Sequence, residues 1–168
     1  MDADKTIFLL KEPPVGTRLK HADLTEKILL AFFKKVYHQL GYGFLEKVYE
    51  NAMAIELRRM GLQVEQQAKI DVYYEGEIVG EYFADLLVEG KVIVELKAAQ
   101  AIGADNEAQL LNYLRATPYE VGLLLNFGPK PDFCRKAFDN ERKTSMTWVS
   151  RAAMLLALAS ATMLSRFG

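Results

Sequence analysis

The chain has 168 residues, a mass of 19.0 kDa, a formal net charge of −1 and 51% hydrophobic residues. This length fits one domain of the usual ~100–200 residues, and the composition excludes a disordered, collagen-like or disulfide-scaffolded chain. The near-zero charge argues against a protein that coats nucleic acid by bulk charge, although an enzyme with a local basic groove stays open. The single cysteine, Cys134, cannot form an internal disulfide, and we therefore expect a reducing, cytoplasmic location.

The two ends of the chain predict neither a secretory signal nor a membrane span. Residues 1–22 predict an irregular lead-in, and residues 144–168 predict an apolar C-terminal helix or tail. The uncharged stretch at residues 152–164 is shorter than the ~20 residues that a membrane-spanning helix needs. We expect a helix that is buried, or that faces a second copy or a partner protein through residues 148–168. A membrane-associating tail is the weaker alternative.

Between these ends, residues 23–143 predict one domain that begins with two helices. Apolar residues recur at helical spacing over residues 24–40 and again over residues 44–60, and a glycine follows each segment. The period then changes to two over residues 62–74, where only Gln66 breaks the apolar alternation. This change predicts a long, half-buried strand.

A hairpin turn at Glu75-Gly76 leads to a second strand that ends near Val88, and residues 91–97 predict a third strand. A helix over about residues 105–116 and a short apolar strand over residues 121–127 follow, whereas the segment after them is only weakly periodic. The order ααβββαβ, followed by a helix, predicts a mixed four-stranded α/β (α+β) sheet with helices packed on it.

Three charged residues interrupt the ends of the second and third predicted strands. Asp85 interrupts one strand, and Glu95 and Lys97 interrupt the next, where their spacing of two places both on one face. We expect Ala84 to join the fully apolar opposite face together with Leu86 and its neighbours. The charges therefore mark one end of a strand pair that is otherwise apolar.

The length of the connecting loop decides whether Asp85 meets Glu95. If the loop is the three residues 89–91, then Val88 pairs with Val92 and Asp85 lies opposite Glu95, at a Cβ separation of about 5 Å. If the loop has two residues, Asp85 points to the other face. The sequence leaves this choice open.

Two carboxylates at that distance repel each other unless a cation lies between them. Oxygen ligands with room for water suit Mg²⁺ or Mn²⁺, and Lys97 beside them could hold or deprotonate a water or offset phosphate charge. The alternative is an ion-pair set on a solvated face. Glu46 is a further ligand candidate or a first-turn acid that favours the helix dipole. Gln109 either binds water or phosphate or is an ordinary exposed glutamine.

The order of these motifs resembles a known family. Gly43-Phe44-Leu45-Glu46-Lys47-Val48-Tyr49 matches the motif that names the GxxExxY family, and Asp85 with Glu95-Leu96-Lys97 resembles the D…ExK signature of the PD-(D/E)xK nuclease-like superfamily. Residues 109–114 and 121–128 are similar to the family's following helix and last core strand. The resemblance covers about residues 22–143 and departs at Ala84, where the superfamily name expects proline.

The resemblance implies a restriction-endonuclease-like αβββαβ core and Mg²⁺- or Mn²⁺-dependent hydrolysis of phosphodiester bonds in nucleic acid, with DNA favoured over RNA. Carried over by position, the metal ligands would be Asp85, Glu95 and Glu46. Lys97 would activate water or stabilise charge, and Gln109 would be the auxiliary polar group.

The alternative function is a non-catalytic module on the same fold that binds nucleic acid or protein, as a component of a larger assembly. Basic side chains that could line a groove, or could simply be solvated, are Arg58, Arg59, Lys130, Arg135, Lys136, Arg142 and Lys143. The intact set of Asp85, Glu95 and Lys97 favours the enzyme, whereas the near-neutral charge favours the alternative.

Overall fold

The computed structural model describes residues 19–143, and the expectations for residues 1–18 and 144–168 lie outside the described residues. Helix α1 runs without interruption through Ala22–Leu30, a π-helical segment Ala31–Val36 and a last turn Tyr37–Leu40. The other elements are α2 (Glu46–Arg59), β1 (Val64–Tyr74), β2 (Glu77–Val88), β3 (Val92–Lys97), α3 (Ala104–Ala116), β4 (Val121–Asn126), β5 (Asp132–Ala137) and a 3-10 turn (Asn140–Lys143).

Within residues 19–143, five strands form one mixed sheet in the order β1-β2-β3-β4-β5. Only β3 and β4 are parallel, because α3 crosses between them, and the other neighbours are antiparallel. The αβββαβ arrangement of a mixed sheet flanked by helices is confirmed. The sheet has one more strand than the predicted four, because β5 pairs with β4. As an edge strand of mostly half-buried side chains, β5 has no clean alternation in its sequence.

Helices cover both faces of the sheet. On one face, α1 and α2 bury a cluster that we call the α1–α2 cluster, which includes Ile28, Phe32, Tyr49, Met53, Leu86, Val88, Val94 and Leu96. On the other face, α3 buries the α3 cluster, which includes Ala68, Ile70, Ala84, Leu87, Ile93, Leu110, Tyr113 and Leu124. Because β3 and β4 are covered on both faces, their sequences read as almost continuous apolar runs.

The strand pair β1–β2 turns over near Gln67, where φ is +54°. At this point the side chains of each strand exchange the sheet face that they occupy. Gln66 and Gln67 both donate to Glu50 on α2, although consecutive residues of a regular strand point to opposite faces. Beyond this point the even-numbered residues Ala68 and Ile70 belong to the α3 cluster. The expectation that Ala84 shares a face with Leu86 is therefore wrong, since Ala84 lies in the α3 cluster and Leu86 in the α1–α2 cluster.

Across residues 19–143, no helix has the length and apolar character required to cross a membrane. The apolar stretch at residues 152–164 lies outside this range, and its expected role stays a prediction.

Candidate active site

The register of the β2–β3 hairpin brings the two strand-end carboxylates together. Val88 pairs with Val92, and the Lys91 N–H donates to the Val88 carbonyl at 3.0 Å, which closes the three-residue loop 89–91. This is the alternative that places Asp85 across from Glu95, beyond the last paired residues Leu86 and Val94. The sequence left this register open, and the structure decides it.

Asp85 lies half-buried at the point where β1–β2 turns over. One oxygen, Oδ2, accepts a hydrogen bond from the Leu96 N–H at 2.7 Å, so the side chain bridges directly to β3. Burial raises the pKa of Asp85, and the charges of Glu50 and Glu46 act in the same direction. The Leu96 N–H and the Lys97 ammonium oppose this rise. A carboxyl group this close to another strand end and to other acids is suited to a shared cation.

Glu95 is the more deeply buried of the two strand-end carboxylates. Only 4% of the residue is exposed, and its Oε1 is buried with no hydrogen-bond partner. Burial, followed by the charge of Asp85, raises the pKa of Glu95 to about 8. Lys97, two residues on and half-buried, acts in the opposite direction. A buried oxygen without a partner is costly in a folded protein, which makes Glu95 the strongest indication of a ligand site.

The segment before α2 explains the motif that contains Glu46. The Tyr49 hydroxyl donates to the Gly41 carbonyl at 3.0 Å and accepts from the Phe44 N–H at 3.1 Å. Its ring stacks on Phe127 with centroids 4.1 Å apart. Tyr49 thereby fixes the loop before α2. Gly43 in this loop has a φ of +108°, a backbone conformation that favours glycine.

Glu46 itself is exposed at the first position of α2 and reaches the end of β3. Its Oε1 accepts from the Ala98 N–H at 3.3 Å. Its charge also contributes to the raised pKa values of Asp85 and Glu95. The structure therefore brings Glu46 to the site, bound to the segment that follows Lys97.

Gln109 approaches the carboxylates only through Tyr113. Its Nε2 donates to the Tyr113 hydroxyl at 2.6 Å. Burial raises the pKa of Tyr113, and the charges of Glu95 and Asp85 raise it further, although the bond from Gln109 lowers it. Tyr113 thus forms the wall of the site on the α3 side, and Gln109 orients its hydroxyl.

Sequence reasoning missed Glu50, which is 3% exposed and links α2 to β1. Its carboxylate accepts from Lys47 at 2.6 Å, from Gln66 at 3.0 Å and from Gln67 at 2.8 Å. The signal was present, because Glu50 lies four residues after Glu46 and shares its helix face. The negative charge of Glu50 raises the pKa of Asp85, and Glu50 therefore contributes to the electrostatics of the site.

Sequence reasoning also missed Asn126, which is fully buried at the end of β4. Its Oδ1 accepts from the Ala99 N–H at 3.0 Å, and its Nδ2 donates to the Ala99 carbonyl at 2.9 Å. The signal is the one that identifies Asp85 and Glu95, a polar residue that ends an otherwise apolar strand. The glycine and prolines that follow Asn126 favour a loop there and obscure this signal.

The basic residues expected to line a groove do not all lie together. Arg58 donates to the Val64 carbonyl on β1, whereas Arg135 and Lys136 lie on β5, and β1 and β5 are the opposite edges of the sheet. Several of these cations are also engaged locally, for example Lys143 with the Thr117 and Tyr119 carbonyls. The predicted groove is therefore not a single surface.

A family model described as the PD-(D/E)XK nuclease superfamily matches residues 22–136, which is more than half of the chain. The chain belongs to the PD-(D/E)XK nuclease superfamily. Asp85, Glu95 and Lys97 lie within the matched residues, in the order that this signature requires. No curated protein matches the chain.

Two solved structures are similar to this chain at low identity. The crystal structure of an alkaline exonuclease, LHK-Exo from Laribacter hongkongensis, gives a TM-score of 0.44 at 14% identity over 71% of this chain and 70% of that chain. The crystal structure of SSO0001 gives 0.44 at 16% identity, over 64% of this chain and 55% of that chain. At these scores the likenesses carry no argument about activity or substrate.

PD-(D/E)XK nucleases generally use divalent metal ions, and the site can be tested against that requirement. Within residues 19–143 no three or more His, Cys, Asp or Glu side chains are grouped closely enough to hold a metal by themselves. Mg²⁺, however, commonly binds through one or two carboxylates and completes its shell with water and substrate phosphate. Asp85 and Glu95, with the unpartnered Oε1, fit that demand.

Proposed function

We propose that this chain is a member of the GxxExxY family and a metal-dependent nuclease that hydrolyses phosphodiester bonds, with DNA favoured over RNA. The observation that carries this proposal is the buried Oε1 of Glu95, which has no hydrogen-bond partner, beside the carboxylate of Asp85. A divalent cation would relieve the repulsion between the two carboxylates and would give the Glu95 Oε1 a partner.

Asp85 and Glu95 would hold Mg²⁺ or Mn²⁺ at the end of β2 and β3. A divalent ion bound there polarises a phosphate oxygen and makes a water more acidic. Lys97, on the same face as Glu95, would hold a water in place or offset the negative charge that develops on the phosphate. This division of roles requires no basic groove.

Glu46 and Gln109 have supporting roles in this proposal. Glu46 adds a third carboxylate next to the segment after Lys97, where it would act as a further ligand to the ion or its water. Gln109 would act through the Tyr113 hydroxyl, which it orients at 2.6 Å.

The test is cleavage of fluorescent DNA and RNA oligonucleotides, single-stranded and duplex, by the full chain with Mg²⁺, with Mn²⁺ and with EDTA. We expect metal-dependent cleavage that Glu95→Gln lowers by at least about 100-fold, while the variant stays folded at the assay temperature. Glu77→Gln, at an exposed acid that begins β2, is the matched control and keeps full activity. Cleavage that survives Glu95→Gln in a clean preparation would contradict the proposal.

Binding without cleavage would instead identify the alternative, a non-catalytic module on the same fold. Isothermal titration with Mg²⁺ or Mn²⁺ separates the two functions, because the module needs no ion.

We also propose a cytoplasmic domain over residues 23–143 and an interaction role for residues 148–168. Removing residues 148–168 and measuring the oligomer mass by light scattering tests that role, and an unchanged mass would exclude it.

A further inference from the structure

We infer that Asn126 is a positioning residue that fixes Lys97 and Glu46 through the backbone between them. With Gly128 it holds residues 97–99, the segment that leaves β3, against the end of β4. We call this arrangement of Asn126, Gly128 and residues 97–99 the clamp. The inference rests on the proposed function only where it concerns catalysis, because the hydrogen bonds of the clamp are present in the structure.

The clamp consists of three backbone attachments within residues 97–99. Asn126 binds both the N–H and the carbonyl of Ala99, at 3.0 and 2.9 Å. The N–H of Phe127 donates to the Lys97 carbonyl at 2.6 Å. A fully buried side chain that uses donor and acceptor on one residue leaves that residue a single orientation.

Gly128 allows the two segments to approach. A Cβ at this position would lie 1.9 Å from the Ala99 carbonyl oxygen, so only glycine fits against the segment. The far side of the clamp is anchored as well, because the Tyr37 hydroxyl on α1 donates to the Gly128 carbonyl at 2.9 Å. The clamp therefore connects the end of β3 to α1.

Two candidate catalytic groups depend on the clamped segment. Lys97 begins it, and the N–H of Ala98 within it is the group that binds Glu46 at 3.3 Å. Lys97 is also the last residue of β3, so movement of the segment would shift this strand end and the Glu46 contact relative to Asp85 and Glu95, which lie further inside the strands. A misplacement of about 1 Å at a reacting centre can lower the rate by about 100-fold.

The first measurement is the kinetics of Asn126→Ala in the full chain, at a temperature well below its melting point. We expect kcat to fall about 10- to 100-fold with little change in KM. Ile28→Ala is the matched control, because Ile28 is also fully buried but lies on α1, in the α1–α2 cluster. It should lose melting temperature and keep kcat.

The second measurement does not depend on activity. In metal-free buffer, the acetylation rate of the Lys97 amine, followed by mass spectrometry, should rise in Asn126→Ala and in Gly128→Ala. The exposed Lys91 should keep its rate in both variants. Unchanged labelling of Lys97, or a kcat that stays at the wild-type value, would overturn the inference. If the wild type cleaves no nucleic acid while Lys97 labelling still rises, the proposed function fails and the positioning of Lys97 stands.

Discussion

Glu95 illustrates how one residue can be unfavourable for the fold and required for the proposed chemistry. The side chain is buried beside another acid, and its Oε1 has no partner among the described residues. Without a cation, burial and the charge of Asp85 favour the protonated form of Glu95 and raise its pKa to about 8. A bound divalent ion would replace that proton.

This gives a sign for the pH dependence of stability without metal. Native Glu95 keeps its proton up to about pH 8, whereas the unfolded chain releases it near the ordinary value of 4.5. The native state therefore binds more protons in this window, and the unfolding free energy falls as pH rises through it. We expect Glu95→Gln to be more stable than the wild type by up to about 5 kcal/mol at high pH.

Urea denaturation in EDTA at several pH values measures this difference. The two proteins should have similar stabilities near pH 5 and diverge above it, and Glu77→Gln should follow the wild type throughout. Adding Mg²⁺ should stabilise the wild type and leave Glu95→Gln unchanged. A wild type that gains stability between these pH values relative to Glu95→Gln would contradict the assignment.

Tyr49 is a second residue whose role can be separated into parts. Its ring stacks on Phe127, while its hydroxyl fixes Gly41 and Phe44 in the loop before α2. Tyr49→Phe removes only the hydroxyl, and we expect a loss of about 1–2 kcal/mol of unfolding free energy. Amide hydrogen exchange should become faster in residues 41–45, next to Glu46, and stay unchanged in α3. Equal protection in the two proteins would refute the role of the hydroxyl.

At the scale of elements, the sequence predicts the strands well and their faces less well. Asp85 and Glu95 were identifiable because a charge at the end of an apolar strand is costly to bury and is seldom placed there by packing alone. The break at Gln66 was visible too, but its cause was not, since the positive φ at Gln67 depends on the tertiary contact with Glu50. Alternation alone could not show that Ala84 changes faces.

The weak periodicity of residues 133–138 has a similar physical cause. Strand β5 is an edge strand with one well-covered neighbour, so its pattern reflects the partner β4 rather than its own core face. Asn126 was missed for a related reason. Its partner, Ala99, is 27 residues away, and only the parallel pairing of β3 and β4 brings them together.

Glu50 provides the element-scale prediction, because it joins α2 to the place where β1 turns over. Glu50→Ala takes this acceptor away from the Gln66 and Gln67 amides and leaves a cavity under α2. We expect a loss of about 1–3 kcal/mol of unfolding free energy. Glu26→Ala, at an exposed position of α1, is the control and should change stability by less than about 0.5 kcal/mol. Equal denaturation midpoints for the two variants would show that the α2–β1 link carries no stability.

For the whole molecule, the near-zero net charge of −1 agrees with the way in which its lysines and arginines are paired and placed. Among the described residues, Lys47 on α2 is paired with Glu50 at 2.6 Å, and Lys69 on β1 is paired with Asp71 at 3.1 Å. The basic residues first expected to form one groove are not all on one side, because Arg58 contacts edge strand β1 whereas Arg135 and Lys136 lie on the opposite edge strand, β5. Among residues 19–143, Lys97 is therefore the cation that our proposal places at the carboxylates, and we expect contact with nucleic acid to be local.

Locality can be measured through salt, because each phosphate that a protein neutralises adds about 0.7–0.9 to the slope of log Kd against log salt. We expect Glu95→Gln, used so that nothing is cleaved, to bind oligonucleotides with a slope of magnitude below about 3. Fluorescence anisotropy between about 50 and 200 mM KCl gives this value. Adding Lys97→Gln should lower the slope by about 1, whereas adding Lys34→Gln, at an exposed position on α1, should not. A slope of magnitude above about 6 would require a continuous basic groove, and the local, metal-assisted contact would then be wrong.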